Sequence, residues 1–423
     1  MELYYSFSIL IVLAAIFAYV NERFLKLPST IGIMLMAMLV SIGLVITGNL
    51  FPKLFESFSR FIANLDFTQI LMGAMLNFLL FAGAIHVRLK DLREQRAPII
   101  VFSTISVLIS TFIVGLLVYN TLPLFRLNIP LIQCLVFGAL ISPTDPIAVL
   151  GILKKAGVNK ALETKVAGES LFNDGVAVVV FVVLLELAKG SAIDLSFTHI
   201  TWLLIKEALG GFGMGLLLGF VGSRAMQRID STNVSTLITL AVVMGGYLIA
   251  QAMHISGPLT MVAAGLIVGN YGKATRISVI TRDYLDKFWE LIDEILNAIL
   301  FLIIGFELLL IPHITRYWLI GLISIAIVLV ARFLSIWIPT LFIPFKTKFD
   351  RQTLTILVWG GLRGGVSVAL ALSIDEELNK NLFLAITYFI VVFSIVIQGL
   401  TVGKLTKPRK SRERSDALNE SMG

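Results

Sequence analysis

Asp174 closes the run Gly168-Glu169-Ser170-Leu171-Phe172-Asn173-Asp174 and opens, through Gly175, on the apolar stretch Val176–Leu185. A carboxylate there lies at bilayer depth, where an ionised side chain is costly and marks an ion or proton pathway. Ser170 and Asp174 are four residues apart, as are Glu169 and Asn173, so the four side chains form two adjacent stripes on one helix. Ser170 and Asp174 are oxygen donors, and Asn173 is a neutral amide able to hold a neighbour by hydrogen bonds. Glu169, if buried, needs a cation, because an unpaired buried charge is strongly destabilising.

Two further constellations lie inside apolar stretches. Ser142-Pro143-Thr144-Asp145-Pro146 puts prolines on both sides of a Thr-Asp pair. Each proline lacks an N–H and disrupts the turn before it, so a helix breaks here. A break at this depth is tolerated only where it is packed in protein or lines a cavity. The freed carbonyls, the Thr144 hydroxyl and the Asp145 carboxylate are all oxygen ligands, with Pro143 and Pro146 shaping the break. Gly360-Gly361-Leu362-Arg363-Gly364-Gly365 sets an arginine among four glycines. Interrupted helices in corresponding positions of two halves point to a transporter site. The blander readings are a proline kink around a satisfied Asp145 and a packing-only ion pair at Arg363. The second is compatible with transport.

The elements that must position these groups are membrane helices. The 423-residue chain is 57% hydrophobic and its mean hydropathy is +0.92, above what soluble domains carry. Thirteen segments of transmembrane character fall at 5–20, 29–47, 68–87, 98–120, 129–153, 162–188, 200–227, 233–253, 257–272, 286–311, 315–343, 353–373 and 381–403. The expected fold is an all-α polytopic membrane protein of about thirteen helices. The first segment has no basic start and no small-residue cleavage site, so it is read as a retained helix.

Lys and Arg set the orientation. One set of alternate loops plus the C-terminal tail carries 25 of the 34 basic residues, the other set carries 6, and Lys206, Arg332 and Arg363 lie within helices. The richer side is cytoplasmic, which puts the N terminus outside and the C terminus inside. Segment five then runs inward and segment twelve outward, as expected for inverted repeats of segments 1–6 and 8–13 with segment seven between.

The net charge of +7 is spread over seven cytoplasmic stretches, which gives no support to nucleic-acid binding. Cys134 is the single cysteine, excluding an internal disulfide. His86, His199, His254 and His313 lack any paired ligand spacing, and no phosphate-cradling Gly-rich motif is present. No cofactor is expected. Gly211, Gly215 and Gly219 read as a helix-packing stripe. Glu290, Asp293 and Glu294 read either as an acidic, cation-attracting mouth or as a solvated helix end. Arg332 either organises the bundle or neutralises a nearby acid. An intramembrane aspartyl protease built on Asp145 and Asp174 would need a shared proton and an activated water, and it leaves Glu169 and Arg363 without a role. A channel would call for rings of like groups from repeated subunits.

In order and spacing, Ser-Pro-Thr-Asp-Pro, Gly-Glu-Ser-Leu-Phe-Asn-Asp-Gly and Gly-Gly-Leu-Arg-Gly-Gly resemble the sodium/proton exchangers of the cation/proton antiporter-1 family, NhaP type. The stretch Phe288–Glu307 and the ending Gln398-Gly399-Leu400-Thr401 carry weaker likeness. The resemblance implies an inverted-repeat antiporter fold with broken helices crossing near the midplane. It implies that Asp174 binds cation and proton alternately, with Asp145, Ser170 and Thr144 helping to hold Na⁺. Asn173 would stand first in the Asn-Asp pair, and Glu169 would pair with Arg363.

It further implies a homodimer in which residues 98–190 and 315–404 form a moving core, while 1–95 and 200–311 form the dimerisation scaffold. The transmembrane part is taken as 1–405, followed by a short basic cytoplasmic tail at 406–423 with no regulatory domain. Asn173 cannot titrate and Glu169 is held ionised, so exchange of Na⁺ or Li⁺ for H⁺ is expected to be electroneutral. Relatives with two aspartates in the pair are the electrogenic ones. Exchange of K⁺ for H⁺ on the same scaffold is the nearest alternative. The short loops suggest a bacterial inner membrane.

Overall fold

The computed structural model describes residues 2–47, 52–53, 58, 62, 73, 75–146, 149–151, 153, 158–190, 197–229, 231–272, 277–311, 314–343, 345 and 350–405. The tail expected at 406–423 and the first residues of the third predicted segment lie outside this set. Apart from one isolated bridge, the described residues are helices and the turns between them. They comprise α1 (Glu2–Val20), α2 (Ser29–Thr47), α3 (Leu76–Ile85), α4 (Leu89–Glu94), α5 (Arg96–Ser103), α6 (Ile105–Thr121), α7 (Leu131–Ile141), α8 (Lys160–Ala188) and α9 (Phe197–Met226). There follow α10 (Thr232–Ala252), α11 (Gly257–Ile267), α12 (Val279–Glu307), α13 (Trp318–Phe342), α14 (Arg351–Trp359), α15 (Gly365–Leu372), α16 (Lys380–Phe393) and α17 (Gly399–Leu405).

Eight described stretches are long and apolar enough to cross a membrane, among them Arg96–Phe125, Lys160–Ala188 and Lys380–Leu405. The departures from the thirteen-segment reading are instructive. Segment five yields only the short α7 before its Pro-rich break, and segment twelve is split into α14 and α15. Segment ten becomes the 29-residue α12, whose first half is charged and whose last half is buried.

Side-chain caps fix where several helices begin, accepting N–H groups that have no intrahelical partner. Asn159 accepts from Ala161 N at 2.9 Å, Ser256 from Leu259 N at 3.3 Å, Ser278 from Thr281 N at 3.2 Å and Asp350 from Thr353 N at 3.0 Å.

Two groups of helices emerge from the packing. In one, α6 lies on α7 and α13, α7 on α8, and α16 on α13 and α15. In the other, α9 and α3 pack on α11, and α2 packs on α12. The groups meet where α8 touches α9 and α11 and where α12 touches α15. The glycine stripe of α9 is a packing seam: a Cβ on Gly215 would stand 2.2 Å from the Thr260 carbonyl oxygen of α11. Only hydrogen at that position lets the two backbones approach so closely.

Candidate functional site

The site grows from the two interruptions. Helix α7 stops at Ile141 because Pro143 cannot donate and restricts the residue before it. Past the break the Asp145 N–H has no helical acceptor, and it donates instead to the Leu362 carbonyl at 2.8 Å. Leu362 lies in the glycine-rich gap between α14 and α15, so the two interrupted segments cross in antiparallel register at this bridge. The glycines make the crossing possible. A Cβ on Gly364 would stand 2.3 Å from Asp145 Oδ2, and one on Gly361 would stand 2.5 Å from Arg332 Nε.

Helix α8 supplies the facing wall. The Ser170 hydroxyl donates to the Thr144 carbonyl, keeping its own lone pairs available as acceptors. The Asn173 amide donates to Thr144 Oγ1 at 2.7 Å, and Thr144 N–H lies 3.5 Å from Asn173 Oδ1. Asn173 thus clamps the break at both the side chain and the backbone of Thr144. Thr144, Ser170 and Asn173 are all buried.

Asp145 and Asp174 share a cavity of about 380 Å³ with Thr144, Ser170, Pro143 and Pro146. The two carboxylates lie within electrostatic reach of one another. Like charges in one cavity repel, and a cation or a proton between them relieves that repulsion. The cavity holds carboxylate, hydroxyl and carbonyl oxygens, the donor set that hard cations take.

The expected Glu169–Arg363 pair is corrected. Arg332 of α13 places Nη1 2.6 Å from Glu169 Oε1, and the two side chains are only 7% and 3% exposed. Arg332 Nη2 also donates to the Leu357 carbonyl at 2.9 Å, satisfying an orphan carbonyl at the end of α14. Arg363 is equally buried but serves its own gap: Nη1 donates to the Gly361 carbonyl at 3.0 Å, and its N–H to Ser394 Oγ at 2.9 Å. Ser394 in turn donates to Gln398 Oε1 at 2.7 Å, and Gln398 Nε2 donates to the Trp359 carbonyl at 3.1 Å. Arg332 is therefore the ion-pair partner, and Arg363 with Gln398 holds the gap in shape.

Of the three acids suspected at the mouth, Asp293 lines the cavity, whereas Glu290 and Glu294 are exposed. Asn297, one turn further along α12, also lines it. The sequence signal for Asn297 was its place in the stretch resembling the family, which carried no role for it. Among the histidines, His86 Nδ1 lies 3.4 Å from Asp286 Oδ1. The side chain of His199, and all of His313, fall outside the described residues.

Comparison with known proteins agrees with this architecture. The family described as sodium/hydrogen exchanger, transmembrane, matches residues 10–407. The Na(+)/H(+) antiporter NhaP of Pseudomonas aeruginosa is 48% identical over 409 residues, covering 94% of this chain and 95% of that protein. The Na(+)/H(+) antiporter NhaH of Halobacillus aidingensis is 31% identical over 395 residues, covering 91% and 93%. The solved sodium proton antiporter MjNhaP1 from Methanocaldococcus jannaschii, at pH 8, superposes with a TM-score of 0.76 over 96% of this chain and 99% of that one. At 21% identity that likeness speaks for the fold alone. With the family match running over nearly its whole length, the chain belongs to the transmembrane sodium/hydrogen exchanger family.

Proposed function

We propose that this chain is a secondary antiporter exchanging Na⁺ or Li⁺ for H⁺ one for one, with Asp174 taking the cation and the proton in turn. The observation that carries the reading is the convergence of Asp145, Asp174, Ser170 and Thr144 on one cavity at the crossing of two broken helices. Asp174 provides the charge. Asp145, the Ser170 hydroxyl and the Thr144 oxygens complete the cation shell.

Coupling follows from competition at that shell. A carboxylate that holds a proton has lost the charge that attracts Na⁺, and one that holds Na⁺ has its charge neutralised by the cation, which disfavours the proton. The bare, ionised form is the costly one to carry past an apolar seam, so the site moves between faces only when loaded. Neither Asn173, which has no proton to give, nor Glu169, held by Arg332, adds a second exchangeable charge. One H⁺ per cation makes the cycle electroneutral.

Movement is an elevator-type slide of residues 98–190 and 315–404 past residues 1–95 and 200–311. The two packing groups support that division, since they touch each other along few helices. The excess of Lys and Arg on one side supports an outside N terminus and a cytoplasmic C terminus. A homodimer in a bacterial plasma membrane completes the reading.

The test is proton flux in proteoliposomes carrying a trapped pH dye, after pulses of NaCl, LiCl and KCl, for the wild type beside Asp174→Ala. Flux driven by Na⁺ or Li⁺ in the wild type alone is the expected result. Flux driven by K⁺ alone would replace the cation, and equal flux in both proteins would remove Asp174 from the coupling step.

A further inference from the structure

Resting on the antiport reading above, we propose a second cation station on the scaffold wall of the cavity, formed by the Asn297 amide oxygen and the Asp293 carboxylate. A cation halts there before passing to Asp145 and Asp174. The first observation is an orphan atom. Asn297 is 3% exposed, lines the cavity, and its Oδ1 has no hydrogen-bond partner. Buried polar atoms are almost always paired, and leaving one unpaired is destabilising. An oxygen kept this way beside an ion cavity is suited to an ion.

The second observation is the company Asn297 keeps. Asp293 stands one helical turn before it, on the same face of α12. The Asn297 amide donates to the Asp293 carboxylate. That commits the NH₂ end of the amide and leaves the oxygen as the free acceptor. Asp293 also lies within electrostatic reach of Asp145 across the cavity. One neutral and one anionic oxygen on a rigid helix can strip part of the hydration shell of a hard monovalent cation without binding it too tightly to release.

The third observation concerns which wall moves. Helix α12 packs on α2 and α3, whereas Asp145 and Asp174 belong to the segments built around α7 and α8. In the elevator cycle the station stays in place while the Asp145/Asp174 pair leaves it. The station therefore serves one face only. The charged first half of α12 carries Arg282 and Lys287 of the Lys- and Arg-rich stretch between segments nine and ten, which puts that face on the cytoplasmic side.

The experiment compares wild type, Asp293→Asn, Asn297→Ala and Asp174→Ala as Na⁺-dependent proton flux in inside-out and right-side-out membrane vesicles. Asp293→Asn keeps shape and volume, so it tests the charge without testing the fold. The expected result is a KM for cytoplasmic Na⁺ raised about tenfold in both α12 variants, with kcat and the KM for external Na⁺ unchanged. Unchanged constants, or equal shifts from both faces, would overturn the station while leaving wild-type exchange intact. A wild type with no Na⁺- or Li⁺-driven flux would instead overturn the antiport reading, and the station with it.

Discussion

The Asp145 backbone N–H and the Leu362 carbonyl are bonded at 2.8 Å, joining two interrupted segments separated by more than two hundred residues. The carboxylate of Asp145 is thereby positioned by the second half of the chain. The glycine two residues past Leu362 lies directly against it: a Cβ at Gly364 would stand 2.3 Å from Oδ2 and 2.8 Å from Asp145 Cβ.

Gly364→Ala is accordingly expected to displace Asp145 and to raise the KM for Na⁺ at least tenfold, because the shift falls on a proposed cation ligand. Gly43→Ala, where a Cβ meets nothing within 4 Å, should leave the KM unchanged. Flux assays on both variants check this, and a Na⁺ dependence of Gly364→Ala matching the wild type would show that Asp145 is not held by the crossing.

The buried Glu169–Arg332 pair sets a stability prediction. Removing one partner of such a pair costs about 3–5 kcal/mol, because the other is left charged and unpaired. Arg332→Met should lower the Tm in detergent sharply, and the double variant Glu169→Met/Arg332→Met should recover much of the loss. Additive losses in the double variant would mean that the two side chains do not depend on each other.

Asn173 makes two contacts with Thr144, so Asn173→Ala leaves the break without its clamp. A lost buried hydrogen bond with an orphaned partner costs about 1–3 kcal/mol. Reduced thermal stability together with weakened Na⁺ dependence is expected, and thermal melts beside flux assays read the two separately. Wild-type stability in the variant would remove Asn173 from the support of the break.

Electroneutrality has its own measurement. Clamping the membrane potential with valinomycin and K⁺ should leave the Na⁺-driven proton flux of the wild type unchanged, since the proposed cycle moves one charge each way. Acceleration by the clamp would show that net charge crosses in each cycle.

Asp350 caps α14 from outside the membrane-spanning segments, accepting from Thr353. Hydrogen bonding from the Thr353 side chain, chiefly, holds its carboxyl below the usual value. With the folded-state value below the unfolded one, the stabilisation is complete above the ordinary Asp value of about 3.9 and is lost as pH falls through the lower folded value. Asp350→Asn, which still caps but carries no charge, should lose part of the neutral-pH Tm and, with it, part of the acid dependence below about pH 4. Asp350→Ala should cost about 1 kcal/mol at neutral pH. Melts between acid and neutral pH distinguish these cases.

The membrane character and both interruptions were legible in the sequence for local reasons. Long apolar runs have one stable outcome in lipid, and paired prolines or clustered glycines break a helix wherever they fall. The i, i+4 stripes of α8 were legible for the same reason, since helical periodicity places Ser170, Asn173 and Asp174 without reference to the rest of the chain. Which group accepts from the Asp145 N–H past the break, by contrast, was decided by the second half of the chain.

By itself the sequence determined which groups are costly enough to require a partner: Glu169, Arg332, Arg363, Asp145 and Asp174 are all charges set in apolar surroundings. Tertiary structure alone decided who partners whom. Arg332 and Arg363 carry the same charge, and nothing in their spacing ranks them as neighbours of Glu169. The long Arg332 side chain of α13 reaches to 2.6 Å from Glu169 of α8, which leaves Arg363 to the Gly361 carbonyl. Helical spacing likewise put Asp293 and Asn297 on one face, and only the packing of α12 turned that face into the cavity of Asp174. Pairing across sequence-distant helices depends on interhelical geometry, which no local pattern encodes.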